Sequence, residues 1–253
     1  MSKLVVTTFL SLDGVMQAPG GPDEDRSGGF ELGGWTWPYM DDEGGRDVAE
    51  QYQAADGFLL GRVTYDIFAA YWPKVTDPND PIAKVLNGRP KYVVSRTLER
   101  AQWQHTTVIR GDVIPQLRDL KDRPGRDILV PGSSELVQTL IRHDLVDEYR
   151  LMFFPVLLGK GKRLFGAGTV PTALSLVGSR QTAKGVLSNR YRRAGEIQVG
   201  SFIPPDTVRA TPHGTTISSF GASAATRTGW SRSAGFPRSR SRRAPRDFPS
   251  RDT

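Results

Sequence analysis

The chain has 253 residues, which is enough for one large domain or two small ones. It contains no cysteine, and this excludes disulfides, cysteine-ligated metals and a cysteine nucleophile. The formal net charge of +7 favours a nucleic-acid partner at first sight, but nine arginines against three aspartates after Ile203 supply +6 of it. Residues 1–203 are therefore almost neutral, and their charge gives no reason to expect such a partner.

The N-terminus does not carry the charged segment followed by a long apolar segment that marks a secretory signal. No stretch approaches the roughly 20 consecutive apolar residues that a membrane-spanning helix needs. We therefore expect a cytoplasmic protein without a membrane partner.

The first predicted element is a strand from Lys3 to Leu10, rich in Val, Thr and Phe. It leads into Asp13-Gly14, a pair typical of turns. An acid at the end of a buried strand is a candidate catalytic group in a cleft, and the same residue type also stabilises turns. Both interpretations of Asp13 stay open. The glycine- and proline-rich segment Gln17–Trp37 is too long for an ordinary connection, so we predict a loop on the substrate side.

A helix is predicted from about Asp41 to Ala55. Three acids at its start, Asp41, Asp42 and Glu43, suit the positive end of a helix dipole. We favour that interpretation over a metal site because no histidine lies near them. No metal site is expected elsewhere.

The next unit is the centre of the predicted fold. Phe58–Leu60 is a short apolar run typical of a strand buried on both faces, and apolar residues recur at helical spacing from Val63 onward. A strand that turns through Gly61 into a helix leaves backbone N–H groups free to bind phosphate. Arg62 adds a charge and Thr64 a hydroxyl, although an ordinary strand–helix corner with a solvated arginine explains the same residues.

Two further strand ends carry candidate ligand-binding residues. A helix is predicted at Pro81–Leu86, and the strand Lys91–Ser95 follows it and is itself followed by Arg96. Ligands of open α/β sheets bind outside the carboxyl ends of strands, where Ser95 and Arg96 would lie. A solvated arginine is the alternative.

The second glycine corner resembles the first. The apolar strand Asp127–Val130 passes through Pro131-Gly-Ser-Ser134 into the helix Glu135–Ile141. Gly132, Ser133 and Ser134 offer backbone donors for a diphosphate. The two serines can also cap the helix without any ligand.

The remaining elements alternate between strand and helix and then change to hairpins. The pattern predicts a weak strand at Thr106–Ile109, a helix near Asp112–Lys121, a long strand at Leu145–Leu158 and antiparallel strands at Ala173–Thr182, Val186–Arg193 and Glu196–Phe202. We therefore predict an α/β fold with a mixed, mostly parallel sheet flanked by helices and C-terminal hairpin strands.

From Pro204 onward Ser, Thr, Gly, Pro and Arg dominate and lysine is absent. We predict that residues 204–253 are a disordered tail. Arginine–serine segments can bind RNA, but an unselected extension has the same composition. Nucleic acid is thus expected only through this tail, if at all.

Residues 1–203 resemble the dihydrofolate reductase-like superfamily, and within it the riboflavin-type reductases of the RibD C-terminal domain family. The order and spacing of several short motifs carry this resemblance: Ser11-Leu-Asp-Gly14, Leu60-Gly-Arg-Val-Thr-Tyr65, Val93-Val-Ser-Arg-Thr97, Val130-Pro-Gly-Ser-Ser-Glu-Leu136, Leu145-Val-Asp-Glu-Tyr149 and Pro155-Val-Leu-Leu-Gly159. One departure is Pro131-Gly132, where the family usually has a glycine pair. The acid that binds the pteridine ring of dihydrofolate reductases has no clear match, although Asp41 and Asp42 lie in that region, so folate is not the expected substrate.

The resemblance implies that NADPH lies across the sheet. It places the cofactor phosphates against Gly61, Arg62 and Thr64 on one side, the 2′-phosphate at Ser95 and Arg96, the diphosphate at Gly132, Ser133 and Ser134, and the substrate and nicotinamide at Asp13. The expected protein is an NADPH-dependent reductase that acts on a small heterocyclic or carbonyl substrate, and a homodimer is the expected assembly. The alternatives are a non-catalytic nucleotide-binding protein and an RNA-associated protein that acts through its tail.

Overall fold

The computed structural model describes residues 1–167 and 169–202, and the predicted tail at 204–253 lies outside these residues. Residues Met1–Gly200 form one compact unit. Its eight strands are β1 (Leu4–Ser11), β2 (Gly57–Gly61), β3 (Lys91–Val94), β4 (Thr106–Ile109), β5 (Ile128–Pro131), β6 (Glu148–Phe154), β7 (Leu174–Gln181) and β8 (Leu187–Arg193). The helices are α1 (Asp42–Ala54), α2 (Arg62–Tyr71), α3 (Pro81–Gly88), α4 (Val113–Asp122) and α5 (Ser134–Arg142), with short 3-10 turns at Ser27–Gly29 and Trp72–Lys74.

All eight strands form one sheet in the order β4-β3-β2-β5-β1-β6-β8-β7. The strands from β4 to β6 run parallel, whereas β8 and β7 are antiparallel to their neighbours. This confirms the predicted mixed, mostly parallel α/β fold with a C-terminal hairpin.

Helices cover both faces of the sheet because successive side chains of a strand point to opposite sides. Along β1, Leu4 and Val6 join a core cluster with the α4 and α5 side chains, whereas Val5 joins another with residues of α1, α2 and α3. The strands in the centre of the sheet are thereby buried on both faces, which explains their continuous apolar runs.

The sheet opens between two of its central strands. The β2–β5 pairing consists of Gly57 with Ile128 and Phe58 with Leu129 only, so the two strands part before their carboxyl ends. On the other side of β5, the pairing with β1 continues as far as Thr7 and Pro131. The resulting gap lies where the two predicted glycine corners meet.

Two predicted strands differ in the structure. Only Glu148–Phe154 of the segment Leu145–Leu158 is a strand, because Pro155 follows it and cannot donate to a ladder. The predicted strand Glu196–Phe202 is absent from the described part of the chain. Its apolar side chains Ile197, Val199 and Phe202 are exposed and have no burial to hold them in a sheet.

None of the described helices has the length and apolar character that crossing a membrane requires. Within the same residues, no group of three or more His, Cys, Asp or Glu side chains could hold a metal ion.

Candidate functional site

A cavity of about 860 Å³ lies at the gap between β2 and β5. Its wall includes all eight residues predicted to bind the cofactor: Gly61, Arg62, Thr64, Ser95, Arg96, Gly132, Ser133 and Ser134. The carboxyl ends of β2, β3 and β5 thus meet in one space, as the strand-end rule predicts.

The first corner joins β2 to α2. Gly61 is the N-cap residue of α2, and no side chain caps this helix. The free N–H groups of its first turn therefore lie beside the cavity with the positive end of the helix dipole. The Arg62 side chain donates to both carboxylate oxygens of Asp66, at 2.9 and 2.8 Å, and to the Thr97 hydroxyl at 3.2 Å. The positive charge of Arg62 is consequently partly neutralised by the Asp66 carboxylate.

The second corner joins β5 to α5 and has a left-handed backbone. Gly132 has φ +54° and Ser133 has φ +58°, and α5 also lacks a side-chain cap. The Ser133 hydroxyl donates to the Pro131 carbonyl and accepts from the Gly61 N–H, both at 3.0 Å. The two corners are thus linked by one hydroxyl. Because the Ser133 hydroxyl is already engaged, the group that Ser133 can offer a ligand is its backbone N–H.

The end of β3 supplies the third part of the wall. The buried Ser95 hydroxyl accepts from the N–H groups of Thr97 and Leu98, at 3.2 and 3.0 Å, and so shapes the turn. Arg96 is exposed and has no hydrogen bond or ion pair within the part of the chain that the structure describes. It is therefore available to bind an anion.

Asp13 does not line this cavity. Its carboxylate accepts from the Ser11 hydroxyl at 2.6 Å and from the N–H groups of Leu158 and Gly159 at 3.1 and 2.8 Å. These hydrogen bonds, that from Ser11 foremost, lower the pKa of Asp13 to about 2. The geometry favours a structural role in which Asp13 ties the end of β1 to a distant turn. The predicted catalytic role remains untested, and nothing in these contacts supports it.

The loop Gln17–Trp37 contributes cavity residues that sequence reasoning missed. Glu24 and Asp25 line the cavity together with Lys162. The Glu24 Oε2 atom accepts from the Gly20 N–H at 2.6 Å, and burial raises the pKa of Glu24. Lys162 forms an ion pair with Asp25 at 2.7 Å. The only signal in the sequence was the length of the loop, since acids in a glycine-rich segment otherwise indicate a solvated turn.

Apolar side chains also line the cavity. They include Phe9 of β1, Val48 and Tyr52 of α1, and Phe68 of α2. Val48 and Tyr52 are four positions apart and therefore lie on the same face of α1. By contrast, Asp41 accepts from the Gly44 N–H at 2.9 Å as the N-cap of α1, which agrees with the predicted helix start.

The chain is similar to several known proteins. A family model described as the RibD C-terminal domain matches residues 2–188. The uncharacterized protein YyaP of Bacillus subtilis (strain 168) is 31% identical over 196 residues, which cover 76% of this chain and 96% of YyaP.

Two solved structures share the fold. A pyrimidine reductase-like protein from Corynebacterium diphtheriae superposes with a TM-score of 0.54 at 15% identity, covering 77% of this chain and 93% of that one. The diaminohydroxyphosphoribosylaminopyrimidine deaminase/5-amino-6-(5-phosphoribosylamino)uracil reductase of Thermotoga maritima gives a TM-score of 0.52 at 16% identity, covering 76% of this chain and 57% of that one.

Proposed function

Because the chain belongs to the RibD C-terminal domain family, we propose that it is an NADPH-dependent reductase that transfers a hydride to a small heterocyclic or carbonyl substrate. The observation that carries the proposal is the meeting of two uncapped helix starts, those of α2 and α5, in one cavity. A dinucleotide diphosphate needs donors of this kind on two facing walls.

The available groups fit the cofactor. The first-turn N–H groups of α2 and the Ser133 N–H, which the left-handed turn at Gly132 and Ser133 presents, would hold the diphosphate. The Gly132 N–H already donates to the Thr7 carbonyl. Arg96, which has no partner among residues 1–167 and 169–202, would meet the 2′-phosphate one strand further along the sheet. The hydroxyl of Ser95, already an acceptor in its turn, keeps its own hydrogen for the same phosphate.

Bound NADPH supplies the hydride, and the protein orients the reacting groups and excludes water. The apolar side chains of the cavity wall suit the ring of a substrate. Reduction of a C=N or C=O bond also needs a proton on the nitrogen or oxygen. Glu24 lines the cavity and has a raised pKa, so it is better suited to hold that proton than Asp13.

The first prediction tests the cofactor assignment. Arg96→Ala should weaken NADPH binding about ten- to a hundredfold, because a hydrogen bond to a charged group contributes about 1.5–3 kcal/mol. NADH, which lacks the 2′-phosphate, should bind almost as before. Arg62→Ala should weaken both cofactors equally, since the diphosphate is common to them.

The measurement is the binding of each cofactor at fixed ionic strength, with Arg100→Ala as the matched control because Arg100 is exposed and outside the cavity wall. Equal effects of Arg96→Ala on the two cofactors would contradict the assignment. Oxidation of NADPH in the presence of pteridines, pyrimidines or quinone-like carbonyls then tests for reductase activity. A protein that binds NADPH but reduces none of these classes would instead be the non-catalytic alternative. The cytoplasmic location and the homodimer remain predictions.

A further inference from the structure

A chain of polar side chains, most of them buried, runs from the cavity wall to β8. Asp47, Gln51 and Ser188 are all buried. Ser188 donates its hydroxyl to Asp47 Oδ2 at 2.6 Å, and the Gln51 amide nitrogen donates to the same oxygen at 3.0 Å. The Thr7 hydroxyl donates to Gln51 Oε1 at 3.5 Å, and Thr7 lines the cavity.

The charge at the end of this chain fixes the direction of its hydrogen bonds. An ionised carboxylate only accepts, so Gln51 must turn its NH₂ group toward Asp47 and its carbonyl oxygen toward Thr7. That oxygen cannot donate, and the Thr7 hydrogen therefore points to it. What Thr7 presents to the cavity is then its lone pairs, which accept hydrogen bonds.

Asp47 lies close to two positive charges. Its Oδ1 atom is buried without a hydrogen-bond partner among the described residues. Two guanidinium groups lie close to this oxygen, that of Arg180 at 3.7 Å and that of Arg190 at 3.8 Å. They supply opposite charge without occupying the oxygen, so the polarity of the buried chain is set from outside the cavity.

The strand order indicates which part of a bound cofactor would lie next to Thr7. Arg96 follows β3, the two glycine corners follow β2 and β5, and Thr7 is in β1, the next strand. A dinucleotide with its 2′-phosphate at β3 and its diphosphate at β2 and β5 extends its nicotinamide toward β1. The Thr7 carbonyl accepts from the Gly132 N–H at 3.1 Å, so Thr7 is adjacent to the diphosphate corner.

We propose that the Thr7 hydroxyl is held as an acceptor for the carboxamide N–H of the nicotinamide, and that Asp47 enforces this through Gln51. Thr7 is thereby a specificity-determining residue for the nicotinamide, and Asp47 and Gln51 are positioning residues. This inference rests on the proposed use of NADPH.

The test compares NADPH with reduced 3-acetylpyridine adenine dinucleotide phosphate, which keeps the carbonyl of the ring substituent but has no N–H. Thr7→Val has nearly the same shape and cannot accept a hydrogen bond. It should weaken NADPH binding about three- to tenfold, in line with one neutral hydrogen bond, and leave the analogue unchanged. Thr7→Ser should restore the preference for NADPH.

Asp47→Asn separates positioning from mere stability. An asparagine can donate, so Gln51 can invert and turn the Thr7 hydroxyl into a donor toward the cavity. The preference for NADPH over the analogue should then fall to about that of Thr7→Val. Thr107→Val, the same change on an exposed strand position outside the cavity wall, is the control and should alter neither affinity.

Equal weakening of NADPH and the analogue by Thr7→Val, or no weakening at all, overturns the inference while leaving the proposed function intact. Failure of the wild-type protein to bind NADPH overturns both. If Asp47→Asn does not fold, the Thr7→Val and Thr7→Ser pair still decides.

Discussion

Two acids of this protein, Asp13 and Glu24, show how residue type alone underdetermines function. Asp13 follows a buried strand, and its carboxylate is taken up by two backbone N–H groups and the Ser11 hydroxyl. Glu24 is in a loop, and its carboxyl group is at the cavity wall. Hydrogen bonds lower the pKa of the first, whereas burial raises the pKa of the second.

The low pKa of Asp13 predicts how the stability of the protein depends on pH in acid. Its pKa is about 2 in the folded protein against an ordinary value of 3.8, so the unfolded chain binds the proton more readily. The stabilisation is complete above the ordinary value and is lost as the pH falls toward 2. Asp13→Asn should therefore flatten the fall in melting temperature over this acid range. A wild-type and a variant curve with the same slope would show that Asp13 contributes nothing to acid unfolding.

Glu24→Gln should lower turnover by at least about tenfold, as expected when a positioned proton donor is lost. The glutamine carbonyl can still accept from the Gly20 N–H, so the loop and NADPH binding should survive. In the wild type the rate should decline as the pH rises above the pKa of Glu24, because the donor must be protonated. The kinetics of Asp13→Asn are the matched comparison, and an equal loss in both variants would contradict the choice of Glu24.

At the scale of elements, the strand–helix corners were largely predictable. The change from an apolar run to helical spacing at Gly61 marks the end of β2 and the start of α2 within one residue. The same holds for β5 and α5 around Pro131–Ser134. Such boundaries depend on local backbone preferences and burial period, which a sequence shows directly.

The link between the corners was not predictable, because it joins residues far apart in the chain. Ser133 and Gly61 are 72 positions apart, and Asp13 is 145 positions from Leu158. The placement of Glu24 in the cavity depends likewise on how its whole loop folds. The strand predicted at Glu196–Phe202 was wrong because alternation of apolar and polar residues indicates a strand only where one face is buried, and this segment is exposed.

Ser133→Ala tests whether the two corners act together. It removes the acceptor of the partly buried Gly61 N–H, and the loss of one such hydrogen bond costs about 0.5–1.5 kcal/mol of unfolding free energy. NADPH and NADH should weaken by the same factor, because the change alters the diphosphate site that both use. Chemical denaturation and cofactor titration measure the two effects. An affinity loss confined to one cofactor would show that Ser133 does not serve the diphosphate.

For the whole molecule, one buried amino group should make stability depend on pH in mildly alkaline solution. Lys91 begins β3 with its ammonium group donating to the carbonyls of Leu86 and Arg89, at 2.7 and 2.9 Å, and lying 4.4 Å from the centre of the Trp103 ring. Burial lowers its pKa from the ordinary value of 10.5 to about 8. The unfolded chain then holds more protons between these two values, so stability should rise with pH across that window.

Lys91→Met removes the titrating group and should abolish this rise. Denaturant unfolding at a series of alkaline pH values measures it, and Lys84→Met, a change at an exposed lysine, is the control. A wild-type stability that stays level or falls between pH 8 and 10.5 would contradict the lowered pKa.

The early parting of β2 and β5 has a mechanical consequence for the whole sheet. The sheet therefore has two parts, one with strands β4, β3 and β2 and the other with β5, β1, β6, β8 and β7. Backbone pairing joins the two parts only at Gly57–Ile128 and Phe58–Leu129. Beyond these pairs, the Ser133 hydroxyl bridges the gap between β2 and β5. A molecule whose phosphates bind both helix starts would bridge the same opening and fix its width. A bound cofactor would then join the two parts of the sheet, so we expect the sheet to become more rigid as cofactor occupancy rises.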